Sequence, residues 1–171
     1  MSSTTSEPNA QVKVLRHQAS IVQQVVKMNT DGLSQADSLV QPSPAGNCMN
    51  WVVGHLVAVY NQVLPVVHQE PTSLHQSLTR YNRGSRPIQS ASEALGIEEL
   101  LAEWNEACAR YDAGLKSMTA EELLQPAPMS PTNNPDETIG TLLNTISWHQ
   151  SYHSGQTGLL RRLAGKDGAI A

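Results

Sequence analysis

The sequence predicts an all-α fold, a four-helix bundle with one long crossover loop. Proline placement is the first observation behind this. The ten prolines leave three long proline-free windows, 9–41, 88–125 and 136–171, and a fourth from 45 to 70 interrupted only by Pro65 near its end. Proline inside a helix costs about 3 kcal/mol, so these windows are where helices can form. Each window carries apolar residues three and four apart, the helical period. No segment shows the alternation between turn signals that marks a hairpin strand, and no internal repeat is present.

In the first window Val14, Ile21, Val25 and Met28 predict the buried face, with Leu15, Val22 and Val26 beside them. In the second, Met49, Val52, Leu56, Val59, Val63 and Val66 form the stripe, and Asn47 is a suitable N-cap. The connection 71–92 has no stripe and is longer than a bundle needs; such loops are usually functional or mobile. In the third window Ile97, Leu101, Trp104, Cys108, Tyr111, Leu115 and Met118 repeat the pattern. The fourth is predicted to start at Asn134 as N-cap, with Pro135 in the first turn and Glu137 closing a capping box. Its stripe is Ile139, Leu142, Ile146, His149, His153, Gln156, Leu160 and Leu163. Stripes of two in seven suit helices crossing at about +20°. A single domain is expected over 11–166, with a disordered tail at 1–10 and a short C-terminal tail at 167–171.

Composition narrows the function classes. Charged residues are 15% and apolar residues 39%, a globular balance in which aliphatics and Trp must build the core because Phe is absent. The net charge of −4 and the lack of any basic run disfavour nucleic-acid binding. The most apolar stretch, 51–67, is broken by His55, Asn61, Gln62 and Pro65, whereas a span needs about 20 nearly unbroken apolar residues, so no membrane insertion is expected. The first eleven residues lack the apolar run of a signal peptide. Cys48 and Cys108 form no CxxC pair, and a reduced, cytoplasmic setting is expected.

The fourth stripe holds polar residues at consecutive inward positions, His149, His153 and Gln156. A buried polar group without a partner costs about 1–3 kcal/mol, so these need partners. Residues four apart on a helix share one face, and two imidazoles so placed can reach one metal ion. The spacing alone is weak: six His in 171 residues give about 0.2 such pairs by chance. His55, on the edge of the second stripe, offers a third ligand, and Gly54 before it leaves room for a backbone or a ligand to approach. Three imidazoles from two helices would leave open metal positions, as catalytic sites do. The competing interpretation makes them core-edge histidines bonded to Gln156, Tyr152 or backbone.

The segment Asn50-Trp51-Val52-Val53-Gly54-His55-Leu56 resembles the first-histidine motif of the DinB/YfiT-like superfamily, and His149-Gln150-Ser151-Tyr152-His153-Ser154-Gly155-Gln156 resembles its second. The resemblance covers nearly the whole chain beyond the N-terminal tail. It implies a four-helix bundle, commonly a homodimer, with zinc, nickel or iron held by His55, His149 and His153. It also implies a place among thiol-dependent transferases and isomerases, alongside members of unknown activity. The second motif is not that of HExxH metalloproteases, because Gln150 stands where those place a glutamate base. No Asp or Glu lies within a turn of the three histidines, so a bound metal would carry most of any catalysis.

Gln156 is a candidate to orient a ligand or substrate, or a structural hydrogen-bonding residue. Arg80, Arg83 and Arg86 lie within seven residues of the crossover loop. They form either a solvated polar loop or a cap that holds an anionic substrate or a low-molecular-weight thiol by bidentate contacts. Trp51 and Tyr152 can wall the same pocket or serve as packing. Cys48 shares the His55 face but sits about 10 Å away along the axis, too far to ligate. Cys108 is expected to be core filler, and His17, His68 and His75 surface residues. The expected function is a metal-dependent transferase or hydrolase acting on a small molecule. The alternative is a metal- or small-ligand-binding stress-response module without turnover, which the missing carboxylate base favours.

Overall fold

The computed structural model describes residues 9–43 and 46–170. Most of the expected tail 1–10 therefore lies outside the described residues, as does residue 171. Among the described residues the chain is all-helical, with α1 (Ala10–Thr30), a short α2 (Gln35–Ser38), α3 (Met49–Val63), α4 (Ile97–Ser117), a short α5 (Ala120–Leu123) and α6 (Ile139–Leu163). The four long helices pack in a cycle, α1 on α6, α6 on α3, α3 on α4 and α4 on α1. No helix among the described residues is long and apolar enough to cross a membrane.

Side-chain pairs give the directions. Gln11 approaches Gly140 and Asn29 bonds Thr157, so α1 and α6 run parallel. Tyr60 stacks on Trp104, and Gly114, farther along α4, lies against Val67 in the turn that continues α3, so α3 and α4 also run parallel. Arg16 pairs with Asp112 while Gln35 bonds the Ile97 backbone, making α1 and α4 antiparallel. The long connection follows from this topology. Two consecutive parallel helices oblige the chain to travel back along the bundle between them. That return segment is not featureless. It contains 3₁₀ turns at His75–Tyr81 and Ala91–Glu93, and the first buries Leu78 and Tyr81 against α3.

Helix α3 is consequently covered on all sides; only Gln62 among its residues is exposed. In the core its Tyr60 ring stacks on Trp104 and Tyr111 of α4, where Cys108 is also buried as expected. Burial drives the Cys108 thiol far above its usual range, which removes it as a nucleophile. His17, His68 and His75 are exposed.

Several local expectations are corrected. In α1 the buried line is Val12, Leu15, Val22 and Val26, while Val14, Ile21 and Met28 are exposed. In α6 the centre of the buried face is Leu143, Ser147, Gln150, Ser154 and Thr157; His149 and His153 are half-buried beside it. Helix α6 starts later than Asn134. Residues 125–127 pair with 137–139 through Ala127 N–H to Glu137 O and Ile139 N–H to Gln125 O, which keeps the chain out of the helix up to Thr138. Thr138 then caps the helix with Thr141 in a capping box, and the Asn134 side chain instead closes a turn onto the Asp136 N–H. Helix α3 is capped at Cys48, not Asn47, with no side-chain bond.

Candidate metal centre

The chain brings His55 from α3 together with His149 and His153 from α6. One ligating nitrogen from each imidazole lies within 4.8 Å of the others. His55 Nε2 and His149 Nε2 stand 3.2 Å apart. Two nitrogens bound tetrahedrally at about 2.0–2.1 Å from one ion would be about 3.3 Å apart, so this pair fits a shared metal without rearrangement. Burial lowers the pKa of all three; His149 falls to about 4, with the neighbouring imidazoles His153 and His55 adding to the effect of burial. The neutral imidazole required of a ligand is thus the form the site favours.

Two of the three rings are held from behind. His55 Nδ1–H donates to the Tyr81 carbonyl at 2.7 Å, and His153 Nδ1–H donates to Gln156 Oε1 at 2.7 Å. Each bond fixes the tautomer that leaves Nε2 free to bind. Gln156 therefore acts on His153 as a hydrogen-bond acceptor. His149 Nδ1 is buried with no hydrogen-bond partner among the described residues.

Physical roles can be assigned along the 50–55 segment. The Tyr81 ring lies directly over Gly54, where any Cβ would overlap it. The space left by this glycine is thus filled by an aromatic ring rather than by a backbone or a ligand. Tyr81 OH donates to Asn50 Oδ1 at 3.0 Å and accepts from Leu95 N–H at 2.8 Å. Trp51 stacks on His55 with centroids 4.7 Å apart, and its indole N–H donates to Ser85 Oγ in the crossover loop. Asn50, Trp51 and Gly54 together seat the loop whose Tyr81 carbonyl aims His55. Sequence reasoning missed Tyr81. Gly54 was the available signal, but nothing local indicated which residue would occupy its space.

The model of the DinB superfamily matches residues 18–157. The chain belongs to the DinB superfamily. It is also similar to the crystal structure of a conserved protein from Enterococcus faecalis, with 17% identity, a TM-score of 0.70 and coverage of 90% of this chain and 97% of that one. At that identity the likeness shows the fold alone. No curated protein matches.

Of the three loop arginines in this DinB-superfamily chain, two are engaged. Arg80 bonds the Arg86 and Pro87 carbonyls and pairs with Glu93 at 3.0 Å, and Arg86 pairs with the other Glu93 oxygen. These contacts fold the loop on itself. Arg83 is exposed, without an ion-pair partner among the described residues, and its charge is felt at His149. Tyr152 meets His153 edge-on at 5.1 Å and is itself exposed.

Proposed function

We propose that His55, His149 and His153 hold one divalent transition metal (zinc, nickel or iron) through their Nε2 atoms, and that the chain is a thiol-dependent transferase or hydrolase acting on a small molecule. The observation that carries this is the convergence of three neutral imidazoles, two of them fixed in the Nε2-free tautomer. When bound, such a metal supplies Lewis acidity at its open positions and lowers the pKa of a water or thiol there. The chain's own groups do the rest. The Tyr81 carbonyl and Gln156 orient ligands, Trp51 covers one face of His55, and Arg83 attracts an anionic group on the substrate or the low-molecular-weight thiol. Arg80 and Arg86 belong to the loop's internal framework and leave this role to Arg83.

The proposal extends to the setting of the protein. Residues 11–166 act as one domain. Two buried free cysteines suit a reduced cytoplasm. The exposed apolar residues of α1 and α6 suit a homodimer.

Metal analysis of protein purified without a histidine tag tests the centre. About one first-row metal per chain is expected, lost in His149→Ala and His153→Ala. Full occupancy in the triple alanine variant would refute the assignment. Screening the loaded protein with low-molecular-weight thiols and electrophiles tests turnover. A loaded protein that consumes no thiol with any electrophile, and hydrolyses none, points instead to a metal- or ligand-binding stress-response module. The second reading has one structural observation in its favour: the convergent cluster contains no carboxylate to serve as a base.

A further inference from the structure

The three imidazoles differ at their rear nitrogens. His55 and His153 each have an acceptor there, but His149 Nδ1 is buried with none. The next residue, Gln150, is fully buried at the centre of the α6 inner face. Its Nε2 donates to the Leu56 carbonyl at 3.0 Å, tying α6 to α3 beside His55, while its Oε1 is buried with no partner among the described residues. In the His149 tautomer that leaves Nε2 free to bind, Nδ1 carries the ring proton, and an unpaired buried donor there beside an unpaired buried acceptor on the next residue is a double cost that a single bond between them would remove.

We propose that Gln150 is the positioning residue of His149: its Oε1 accepts from His149 Nδ1–H, as the Tyr81 carbonyl does for His55 and Gln156 for His153. All three rings then present Nε2 to one point. This rests on the three-histidine metal reading and adds a residue to it. The Gln150 amide is suited to the task because it has two ends. The NH₂ end is anchored on α3, so the oxygen is held in place while it receives the imidazole proton. A leucine at 150 would fill the same buried space but offer no acceptor. A glutamate would keep the acceptor and lose the bond to Leu56.

Zinc affinity of the full chain, measured by competition with a chromophoric chelator, separates these roles. Gln150→Leu is expected to bind zinc about 10- to 100-fold more weakly, and Gln150→Glu, which keeps the acceptor without its anchor, to lose clearly less than the leucine variant. In zinc-loaded wild-type protein the His149 Nδ1–H should appear as a slowly exchanging ring proton by ¹⁵N-edited NMR. Should Gln150→Leu fail to fold, that wild-type signal still decides. Equal losses in the leucine and glutamate variants would reduce Gln150 to a tie onto Leu56 and overturn the proposal. So would unchanged affinity in Gln150→Leu, or a rapidly exchanging His149 ring proton. Absence of zinc binding in the wild type would instead overturn the metal reading, and this inference with it.

Discussion

A Cβ at position 54 would overlap the Tyr81 ring, and Tyr81 in turn supplies the carbonyl that holds His55. Gly54→Ala therefore acts on the centre at one remove. It should lower stability by about 1–3 kcal/mol as an overpacked core site. It should also weaken zinc binding even though no ligand is changed. Denaturant unfolding and zinc competition on the same variant check both effects, and a variant matching wild type in both would show that Tyr81 can move away freely. Asn50 belongs to the same device, since it holds the Tyr81 hydroxyl and also donates to the Leu95 carbonyl. The histidines were legible in the sequence because His149 and His153 share one helix and their spacing is local. Tyr81 was not, because its role exists only once the crossover loop has returned to α3. Gln150 was legible as a residue that rules out a glutamate base, but its buried amide gained meaning only from the packing of α6 on α3.

Helix ends decide two further outcomes. Thr138, not Asn134, caps α6, so Thr138→Ala should cost about 0.5–2 kcal/mol in chemical denaturation whereas Asn134→Ala should cost little. The reverse ranking would mean that α6 begins where the sequence suggested. Asn134, Pro135 and Glu137 imitate a helix start well; the pairing of 125–127 with 137–139 overrides them, and a long-range pairing of that kind is invisible to local reading. The α1 face was misread for a related reason. Val14, Ile21 and Met28 form as regular a stripe as Val12, Leu15, Val22 and Val26, and only the neighbouring helices determine which is buried. In α6 the centre of the inner face is polar, with Ser147, Gln150, Ser154 and Thr157, so counting apolar residues alone shifted the seam toward the histidines. The short α5 carries a pH effect. The Glu122 carboxylate is held at about 2, below its ordinary 4.5, first by the Thr119 backbone N–H, then by the Thr119 hydroxyl and His68. A depressed carboxylate stabilises the fold fully above its unfolded pKa and loses that contribution as pH falls from about 4.5 toward about 2. The difference in Tm between wild type and Glu122→Gln should accordingly shrink across that window; a constant difference would show that Glu122 does not titrate as part of the fold.

At the scale of the molecule, two parallel helix pairs, α1 with α6 and α3 with α4, divide the labour. The second pair and the crossover loop enclose α3 and its histidine, while the first pair presents its outer side to solvent. On that side Val14, Ile21 and Met28 of α1, seven residues apart, lie exposed alongside Trp148, Leu159 and Leu163 of α6. Helices α1 and α6 pack against each other and run parallel, so both sets of exposed apolar residues lie along one pair of helices. Exposed apolar side chains are costly in water, and a second copy of the chain is the partner proposed above to cover them. Light scattering should give twice the 18.5 kDa chain mass for the wild type. Leu159→Arg, which puts a charge among these exposed apolar residues, should give the single-chain mass while keeping its metal content, because residue 159 lies beyond the histidine turns of α6. A wild-type protein that remains a single chain at tens of micromolar, where an interface of standard size would hold, would refute the dimer and leave the metal centre untouched.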